Sequence, residues 1–232
     1  MSAPATELPQ GRSLRAVFVY EWPVRVWHWL TVISIVVLSV SGYYIGNPLL
    51  PNMPGEAVDQ FTMGYIRFAH FAAGYVLAIL LLGRLYWAIV GNQYARELFF
   101  PPIFSAATWK DVWFRVKYYL FIEKDAPPTV GPNGLEVVSA FAMFTLPMIF
   151  IILTGFALYA EGTGQNSWQA AAFGWVRYLF GDSQALHTWH HVAMWVLIIY
   201  VIIHVYLVIR QDVLSRQSYI STMISGMRMF KD

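Results

Sequence analysis

The stretch HTWHHVAMWVLIIYVIIHVYLVIR, residues 187–210, decides the fold predicted for this chain. It sets a long apolar run between a cluster of histidines and one further histidine. About 20 apolar residues are enough for one helix to cross a bilayer core. Three other segments share this character, so the sequence predicts membrane spans at about 22–45, 65–90, 137–159 and 187–209. We therefore expect an all-α integral membrane protein, a four-helix bundle that residues 1–232 form as a single transmembrane domain.

The composition of the whole chain agrees with a protein that crosses the membrane several times. Of its 232 residues, 58% are hydrophobic and 12% are charged, and the mean hydropathy is +0.51, whereas soluble domains carry about 25% charged residues. The lack of cysteine excludes iron–sulfur clusters, disulfides and thioether-attached haem within this chain. A net charge of +2 gives no indication of nucleic-acid binding, and no phosphate-binding loop or hydrolase motif is present.

The distribution of positive charge predicts the orientation, because Lys and Arg concentrate in cytoplasmic segments. The N-terminal flank carries Arg12, Arg15 and Arg25, and the C-terminal tail carries Arg210, Arg216, Arg228 and Lys231. The second connection, residues 91–136, together with the helix end before it, carries Arg84, Arg96, Lys110, Arg115, Lys117 and Lys124. Only Arg67 and Arg177 lie on the other side. Both termini are therefore expected in the cytoplasm, in a multi-pass protein of the bacterial inner (cytoplasmic) membrane. The first 20 residues show no cleavable signal, so the first span should direct insertion.

The second connection contains WKDVWFRVKYYLF, residues 109–121, which interleaves aromatic and basic side chains. This pattern is typical of an amphipathic helix that lies in the headgroup region in contact with membrane lipid. Pro127 and Pro128 then interrupt the chain before the third span. We expect an interfacial amphipathic helix between spans two and three.

The six histidines all lie in or at the edge of a predicted span, where ionisable side chains are costly and mostly functional. They are His28, His70, His187, His190, His191 and His204. On the fourth span, His190 and His204 are 14 residues apart in sequence. In a helix this puts them about 21 Å apart and on nearly the same face. Each surface of the membrane thus receives one inward-facing imidazole from this helix.

The alternating directions of the spans pair the histidines by depth. His28 should meet His204 near the cytoplasmic surface, and His70 should meet His190 near the periplasmic surface. Two stacked pairs of opposed imidazoles without thiols suit two six-coordinate haems b, whose iron would transfer electrons rather than bind oxygen. We predict these four histidines as the axial ligands of the haem irons.

Other residues are candidates for contacts with these groups. Gly42 and Gly74 would let a porphyrin pass close to the backbone. Arg25, Arg84 and Arg210 could pair with haem propionates or contact a quinone together with Tyr206, although arginines and tyrosines at span ends also serve as membrane anchors. His187 stays open as an alternative ligand, a residue that orients a ligand, or part of a partner interface. His191 is expected to face the headgroups.

Two other classes of function compete with this interpretation. The HTWHH sequence matches the HxxHH pattern of membrane di-iron desaturases and hydroxylases, but those enzymes gather their histidines at one membrane surface. A purely structural anchor or a transporter would not need the histidines at all.

Several stretches of the sequence resemble the helices of one known family. Residues 25–42, RVWHWLTVISIVVLSVSG, are similar to the first-helix signature of that family, with Ser41 where Thr is usual. Residues 63–74, MGYIRFAHFAAG, and 84–99, RLYWAIVGNQYARELF, resemble its second helix and exit. HTWHHVAMW followed by HVYLVIRQD resembles its fourth helix, with His191 where many members have Arg. The family that these stretches resemble is the b-type cytochrome subunit of membrane-bound nickel–iron hydrogenases.

The resemblance implies an electron-transfer subunit that is not itself an enzyme, within a complex that would be a hydrogen:quinone oxidoreductase. Such subunits bind the hydrogenase small subunit, and through it the large subunit, and pass electrons from its iron–sulfur clusters through two haems b to the quinone pool. Electrons would enter at the His70–His190 haem, near docking surfaces at 47–64 and 161–186, and leave at the His28–His204 haem. The anchor subunits of formate dehydrogenase-like complexes share this plan and are the alternative.

Overall fold

The computed structural model describes residues 6–7, 13–48, 61–124, 129–215 and 218–231. Arg12, Arg216, the Pro127–Pro128 pair and most of the predicted docking segment 47–64 lie outside the described residues. The described chain is mostly helical. Its α-helices are α1 (Trp22–Gly46), α2 (Thr62–Val90), α3 (Gln93–Arg96), α4 (Ala106–Tyr119), α5 (Gly134–Ala140), α6 (Leu146–Thr163), α7 (Trp168–Phe173), α8 (Ser183–Ser215) and α9 (Tyr219–Ser225).

The four predicted spans are confirmed as helices long and apolar enough to cross a membrane. These are α1, α2, the segment Gly134–Thr163 that contains α5 and α6, and α8, with mean hydropathies of 1.7 to 2.7 over their most apolar windows. Continuous helix suits a bilayer because it satisfies every backbone hydrogen bond within the segment. Each helix exceeds its predicted bounds by a few residues, since the polar ends of a span also take up helical structure.

The third span contains a π-helical segment, Phe141–Thr145, between α5 and α6. α5 begins at a capping box, in which the Asn133 side chain accepts from the Glu136 N–H and the Glu136 carboxylate accepts from the Asn133 N–H. At the end of the π segment, the hydroxyl of fully buried Thr145 donates to the Leu98 carbonyl at 3.1 Å. Hydropathy does not signal such an insertion, and the sequence predicts an uninterrupted helix here.

A small antiparallel sheet joins the two ends of the chain, so the all-α prediction is incomplete. Its strands are β1 (Thr6–Glu7), β2 (Ser13–Phe18) and β3 (Met227–Lys231), in the order β1-β2-β3. Leu14 pairs with Lys231 and Phe18 pairs with Met227. The strands are too short to stand out against four long apolar spans, and β2 finds its main partner at the opposite end of the chain.

Gly226 directs the chain from α9 into β3. Its φ of +82° lies in the left-handed region, and its carbonyl accepts the N–H groups of Val19 and Tyr20 at 2.9 and 3.3 Å. A Cβ added to Gly226 would lie 2.6 Å from the Tyr20 carbonyl oxygen. This position therefore requires glycine both for its backbone angle and for space.

The second connection contains the helix α4, which overlaps the segment 109–121 predicted as an amphipathic helix, and one of its cations is buried. Arg115 is 1% exposed and lies 3.3 Å from the Asp111 carboxylate, which also accepts the Gly134 N–H at 2.6 Å. The sequence pattern groups Arg115 with Lys110 and Lys117 as basic residues of a helix in the headgroup region. It does not predict the burial of Arg115, whose guanidinium pairs with the carboxylate that fixes the start of α5.

The chain divides into two compact units, and each contains parts of all four spans. Unit 1 comprises residues 1–28, 84–147 and 199–232, and it holds the sheet, α3, α4, α5 and α9. Unit 2 comprises residues 29–83 and 148–198. In unit 2, the segment after α6 packs on the spans through a core of Ala157, Val176 and Leu186, and Phe156 stacks on Phe173 of α7 at 4.8 Å.

Candidate functional site

Unit 2 contains a cavity of about 540 Å³, which we call the imidazole cavity. Residues of α1, α2, α6 and α8 line it, and most of them are apolar. Its size falls within the range of about 300–1,000 Å³ that small-molecule and cofactor pockets occupy. The polar groups that line it include His70, His187, His190, His191 and Arg67. An apolar cleft with a few imidazoles is suited to a large, mostly apolar group that carries a metal.

His70 on α2 and His190 on α8 face each other in this cavity, with ring centroids 6.5 Å apart. A metal–nitrogen bond to imidazole is about 2 Å long, and the ring centre lies about 1 Å further on. One iron bound by both rings would therefore separate the centroids by about 6 Å. The observed spacing fits a single metal atom held on two opposite sides.

In each ring, Nδ1 lies within hydrogen-bond distance of a hydroxyl group from a neighbouring helix. Ser41 Oγ on α1 lies 2.9 Å from His70 Nδ1, and Thr154 Oγ1 on α6 lies 2.8 Å from His190 Nδ1. Nε2 is consequently the nitrogen of each ring that is available to a metal.

Glycines give both rings the room they occupy. A Cβ on Gly42 would lie 3.1 Å from His70 Cε1, and a Cβ on Gly155 would lie 3.2 Å from His190 Cε1. Gly74 also lines the cavity, and a Cβ there would meet nothing within 4 Å. Together with the opposed imidazoles, these glycines fit a flat, bulky group such as a porphyrin.

Three further cationic or ionisable side chains line the same cavity, namely His187, His191 and Arg67. His187 Nδ1 donates to the Ser183 carbonyl at 2.8 Å, and His191 Nδ1 donates to the His187 carbonyl at 2.9 Å. The His191 ring packs so closely on Gly46 that a Cβ there would lie 2.4 Å from Nε2. His191 thus contacts α1 and lines the cavity, which differs from the expectation that it faces the headgroups.

Sequence reasoning missed Arg67, Thr154 and Gly155 as members of this site. Arg67 precedes His70 by three residues, and residues three apart in a helix are neighbours on its surface. That spacing could have identified it. Thr154 and Gly155 lie on the span without histidines, and only their resemblance to the Ser41–Gly42 pair could have pointed to them.

The other two predicted ligands, His28 and His204, both belong to unit 1. The Tyr200 ring stacks on His204 with centroids 5.7 Å apart and an angle of 18°. Phe144 then contacts Tyr200 at 5.5 Å and Trp27 at 6.2 Å. Aromatic rings thus line the space between the α1 and α8 segments of unit 1.

Arg84 is a buried cation of unit 1. It is 4% exposed, and its guanidinium lies over the Trp27 ring at 5.3 Å and over the Phe99 ring at 5.9 Å. Among the described residues, neither Nε nor Nη1 has a hydrogen-bond partner. A buried guanidinium without partners is costly, and a carboxylate such as a haem propionate would satisfy both nitrogens.

The remaining candidate residues, Arg25, Arg210 and Tyr206, have different surroundings. Arg25 donates to the Ile224 carbonyl, while its Nε has no partner within the described chain. Arg210 lies about 5 Å from the ring centres of Tyr118, Tyr119 and Phe121. Tyr206 is 59% exposed, so its side chain lies at the surface of the chain and can contact an apolar molecule there.

The di-iron alternative finds no support in this geometry. Among the described residues, no three His, Cys, Asp or Glu side chains converge as a metal site. The HTWHH histidines bond to the carbonyls of their own helix or to a hydroxyl of α6. The arrangement suits a metal that arrives within a cofactor and takes only two protein ligands.

Membrane-length helices that carry opposed imidazoles define a class, the helical membrane cytochromes. Residues 19–226 match the family model described as prokaryotic cytochrome b561, and the chain belongs to that family. Membership in a family of b-type cytochromes implies haem b as the cofactor.

The chain is similar over nearly its whole length to proteins named "Probable Ni/Fe-hydrogenase B-type cytochrome subunit". It is 58% identical to the one from Azotobacter vinelandii over 221 residues, which cover 95% of this chain and 92% of that protein. It is 50% identical to that of Rhizobium leguminosarum bv. viciae, over 94% of this chain and 91% of that protein. The identity to "Probable Ni/Fe-hydrogenase 1 B-type cytochrome subunit" of Escherichia coli (strain K12) is 44%, with coverage of 92% and 91%.

Proposed function

We propose that this chain is the di-haem b-type cytochrome anchor of a membrane-bound nickel–iron hydrogenase. It would transfer electrons from the iron–sulfur clusters of the hydrogenase small subunit to the quinone pool. The observation that carries the proposal is the pair of opposed imidazoles, 6.5 Å apart, in a cofactor-sized apolar cavity. The names of relatives that cover more than nine-tenths of this chain support the hydrogenase as partner, and no observation favours a formate dehydrogenase-like complex.

In unit 2, His70 and His190 would bind the iron of one haem b from its two faces. Gly42, Gly74 and Gly155 would leave room for the porphyrin against the helices, and the mostly apolar lining suits its apolar body. Bound haem supplies one-electron redox chemistry. Held by both His70 and His190, the iron would transfer electrons rather than bind oxygen.

In unit 1, His28 and His204 would be the ligands of the second haem b. The unpartnered nitrogens of Arg84 and Arg25 would bind propionate carboxylates. Arg210 and the exposed Tyr206 are candidates for contacts with the quinone. His187, whose Nδ1 is held by its own helix, would orient groups at the rim of the imidazole cavity rather than replace His190.

The proposed orientation places both termini in the cytoplasm and the protein in the inner membrane. The pairing of β2 with β3 supports it, because strands from the two ends of the chain lie side by side in unit 1. Thirteen of the fifteen Lys and Arg residues fall in the segments predicted to be cytoplasmic, and only Arg67 and Arg177 fall in those predicted to be periplasmic. Positive charge of this distribution marks the cytoplasmic side.

The connection 161–186 would then be the periplasmic docking surface for the hydrogenase small subunit. It contains α7 and a 3-10 helix, Gly174–Leu179, and it exposes Trp168, Trp175 and Tyr178. Exposed aromatic residues on an ordered segment are typical of protein interfaces. Electrons would enter through the nearby imidazole cavity of the same unit.

Haem counting on single-histidine variants tests this function. The purified wild-type chain should contain about two protohaems, as measured by the pyridine haemochrome. His204→Ala should lose one haem and keep the absorption of the other, and His190→Ala should do the reverse. His187→Ala is the matched control from the same helix and should keep both. Retention of both haems in His204→Ala and His190→Ala would contradict the proposed pairing.

The identity of the partner is tested separately by affinity purification of the tagged chain from membranes. The hydrogenase small and large subunits should copurify with it. Reduction of its haems by hydrogen in that preparation would establish the direction of supply. Copurification of a formate dehydrogenase instead would overturn the choice of partner but leave the haem sites in place.

A further inference from the structure

A hydroxyl residue followed by glycine occurs on two different helices of the imidazole cavity. On α1 the pair is Ser41–Gly42, and on α6 it is Thr154–Gly155. In both pairs the hydroxyl bonds to Nδ1 of a facing histidine and the glycine leaves room for Cε1 of the same ring. The same device thus holds His70 and His190, each from a neighbouring helix.

We propose that Ser41 and Thr154 are positioning residues that fix the tautomer and rotation of the His70 and His190 rings. Through these rings they would set the reduction potential of the haem in the imidazole cavity. The inference rests on the proposed function, which places that haem between the two histidines.

The tautomer of His70 follows from the hydrogen bonds of Ser41. Its Oγ lies 2.5 Å from the Val37 carbonyl, which can only accept. A hydroxyl has a single hydrogen to donate, and Ser41 donates it to Val37. Ser41 must therefore accept a hydrogen bond from His70 at 2.9 Å, so Nδ1 of His70 carries the proton.

The same reasoning applies to His190. Thr154 Oγ1 donates to the Phe150 carbonyl at 2.9 Å and accepts from His190 Nδ1 at 2.8 Å. Both rings accordingly carry their proton on Nδ1 and keep the lone pair of Nε2, which is the form of imidazole that binds iron.

These hydrogen bonds also have an electronic consequence. A hydrogen bond from the distal N–H of a ligating imidazole raises the basicity of the ligand and fixes the ring orientation. A more basic imidazole stabilises the oxidised iron. Removal of the hydroxyl that accepts this hydrogen bond should therefore favour reduction of the haem iron. An imidazole ring that is free to rotate should also change the ligand field of the iron.

The experiment measures the full-length chain in detergent by three readouts. These are haem per chain, the electron paramagnetic resonance of the oxidised low-spin haems, and a redox titration that resolves them. The informative variants are Thr154→Val, which keeps the shape but removes the acceptor, and Ser41→Ala. Thr154→Ser and Ser41→Thr restore the hydroxyl.

Ser34→Ala provides the matched control. Ser34 is a buried residue of α1 whose hydroxyl donates to the Leu30 carbonyl at 2.9 Å, with the same i−4 pattern as Ser41. The control removes a hydroxyl from the same helix without removing an acceptor from His70.

In Thr154→Val and Ser41→Ala, the reduction equilibrium constant of one haem should rise about tenfold, which is about 59 mV for a one-electron couple. Its resonance should shift, while the other haem stays unchanged. Thr154→Ser, Ser41→Thr and Ser34→Ala should resemble the wild type. Loss of the haem in Thr154→Val with retention in Thr154→Ser would also support the inference.

Three results would overturn it. The first is a wild-type potential and resonance in both Thr154→Val and Ser41→Ala with the haem present. The second is an equal effect of Thr154→Val and Thr154→Ser, which would indicate packing alone. The third is that replacement of His70 or His190 removes no haem from the chain. That third result contradicts the proposed function itself, whereas the first two leave it intact.

Discussion

At the scale of the residue, Gly42 decides how near the His70 ring can come to α1. A Cβ would lie 3.1 Å from His70 Cε1, and a leucine would occupy the ring's position. Gly42→Leu should therefore lose the haem of the imidazole cavity and keep that of His28 and His204. Pyridine haemochrome assays should show about half the wild-type haem per chain.

The control for this change is Gly174→Leu. Gly174 lies in the 161–186 connection, and a Cβ there would meet nothing within 4 Å. This variant should keep the wild-type haem content. Equal loss of haem in both variants would mean that the effect at Gly42 is a general folding defect.

Arg84 should influence the haem of unit 1 through its charge. A nearby cation favours the added electron of the reduced state, because opposite charges attract strongly where water is excluded. Arg84→Gln should therefore lower the midpoint potential of the His28–His204 haem and leave the other potential unchanged. A redox titration measures both potentials.

Exposed Arg96 offers the control, and Arg96→Gln should change neither potential. A wild-type potential in Arg84→Gln would refute the propionate contact.

At the scale of the element, the apolar spans and the spacing of the histidines along α8 were predictable, because both depend on sequence positions within one helix. His190 and His204 share a face of α8 whatever surrounds them. The hydroxyl partners were not predictable in this way, since Ser41 and His70 are 29 positions apart and Thr154 and His190 are 36 apart. Such contacts depend on how helices pack, which hydropathy does not record.

The turn at Gly226 is a local element that should tolerate no side chain. Gly226→Ala would place a Cβ 2.6 Å from the Tyr20 carbonyl and keep a φ of +82° that costs about 1–3 kcal/mol for non-glycine residues. The midpoint of thermal unfolding should fall, while Gly174→Ala, in open space, should leave it unchanged. An unaltered midpoint in Gly226→Ala would show that this turn contributes nothing to stability.

Glu97, at the end of α3, gives the fold a pH dependence. Burial raises the pKa of its carboxyl group, and Oε2 has no hydrogen-bond partner among the described residues. Because the folded pKa exceeds the unfolded one, stability should decline as the pH rises from the unfolded pKa through the folded pKa. Glu97→Gln should remove this decline and unfold at a higher temperature than the wild type at neutral pH. Parallel melting curves of the two proteins from pH 4 to 8 would contradict this expectation.

At the scale of the whole molecule, the lack of native cysteine allows the orientation to be measured directly. Trp175→Cys introduces one exposed thiol in the 161–186 connection, and Lys110→Cys introduces one on α4. In intact spheroplasts, a membrane-impermeant thiol reagent should label the first and not the second. After lysis both should react. Labelling of Lys110→Cys alone before lysis would reverse the proposed orientation.

The two main strands of the sheet, β2 and β3, are synthesised at different times. β2 is synthesised well before its partner, residues 227–231, because all four spans lie between the two strands in the chain. Until then β2 presents an unpaired edge, the kind of surface that invites wrong pairing. A chain that stops before residue 227 would therefore leave this edge of β2 open to wrong pairing.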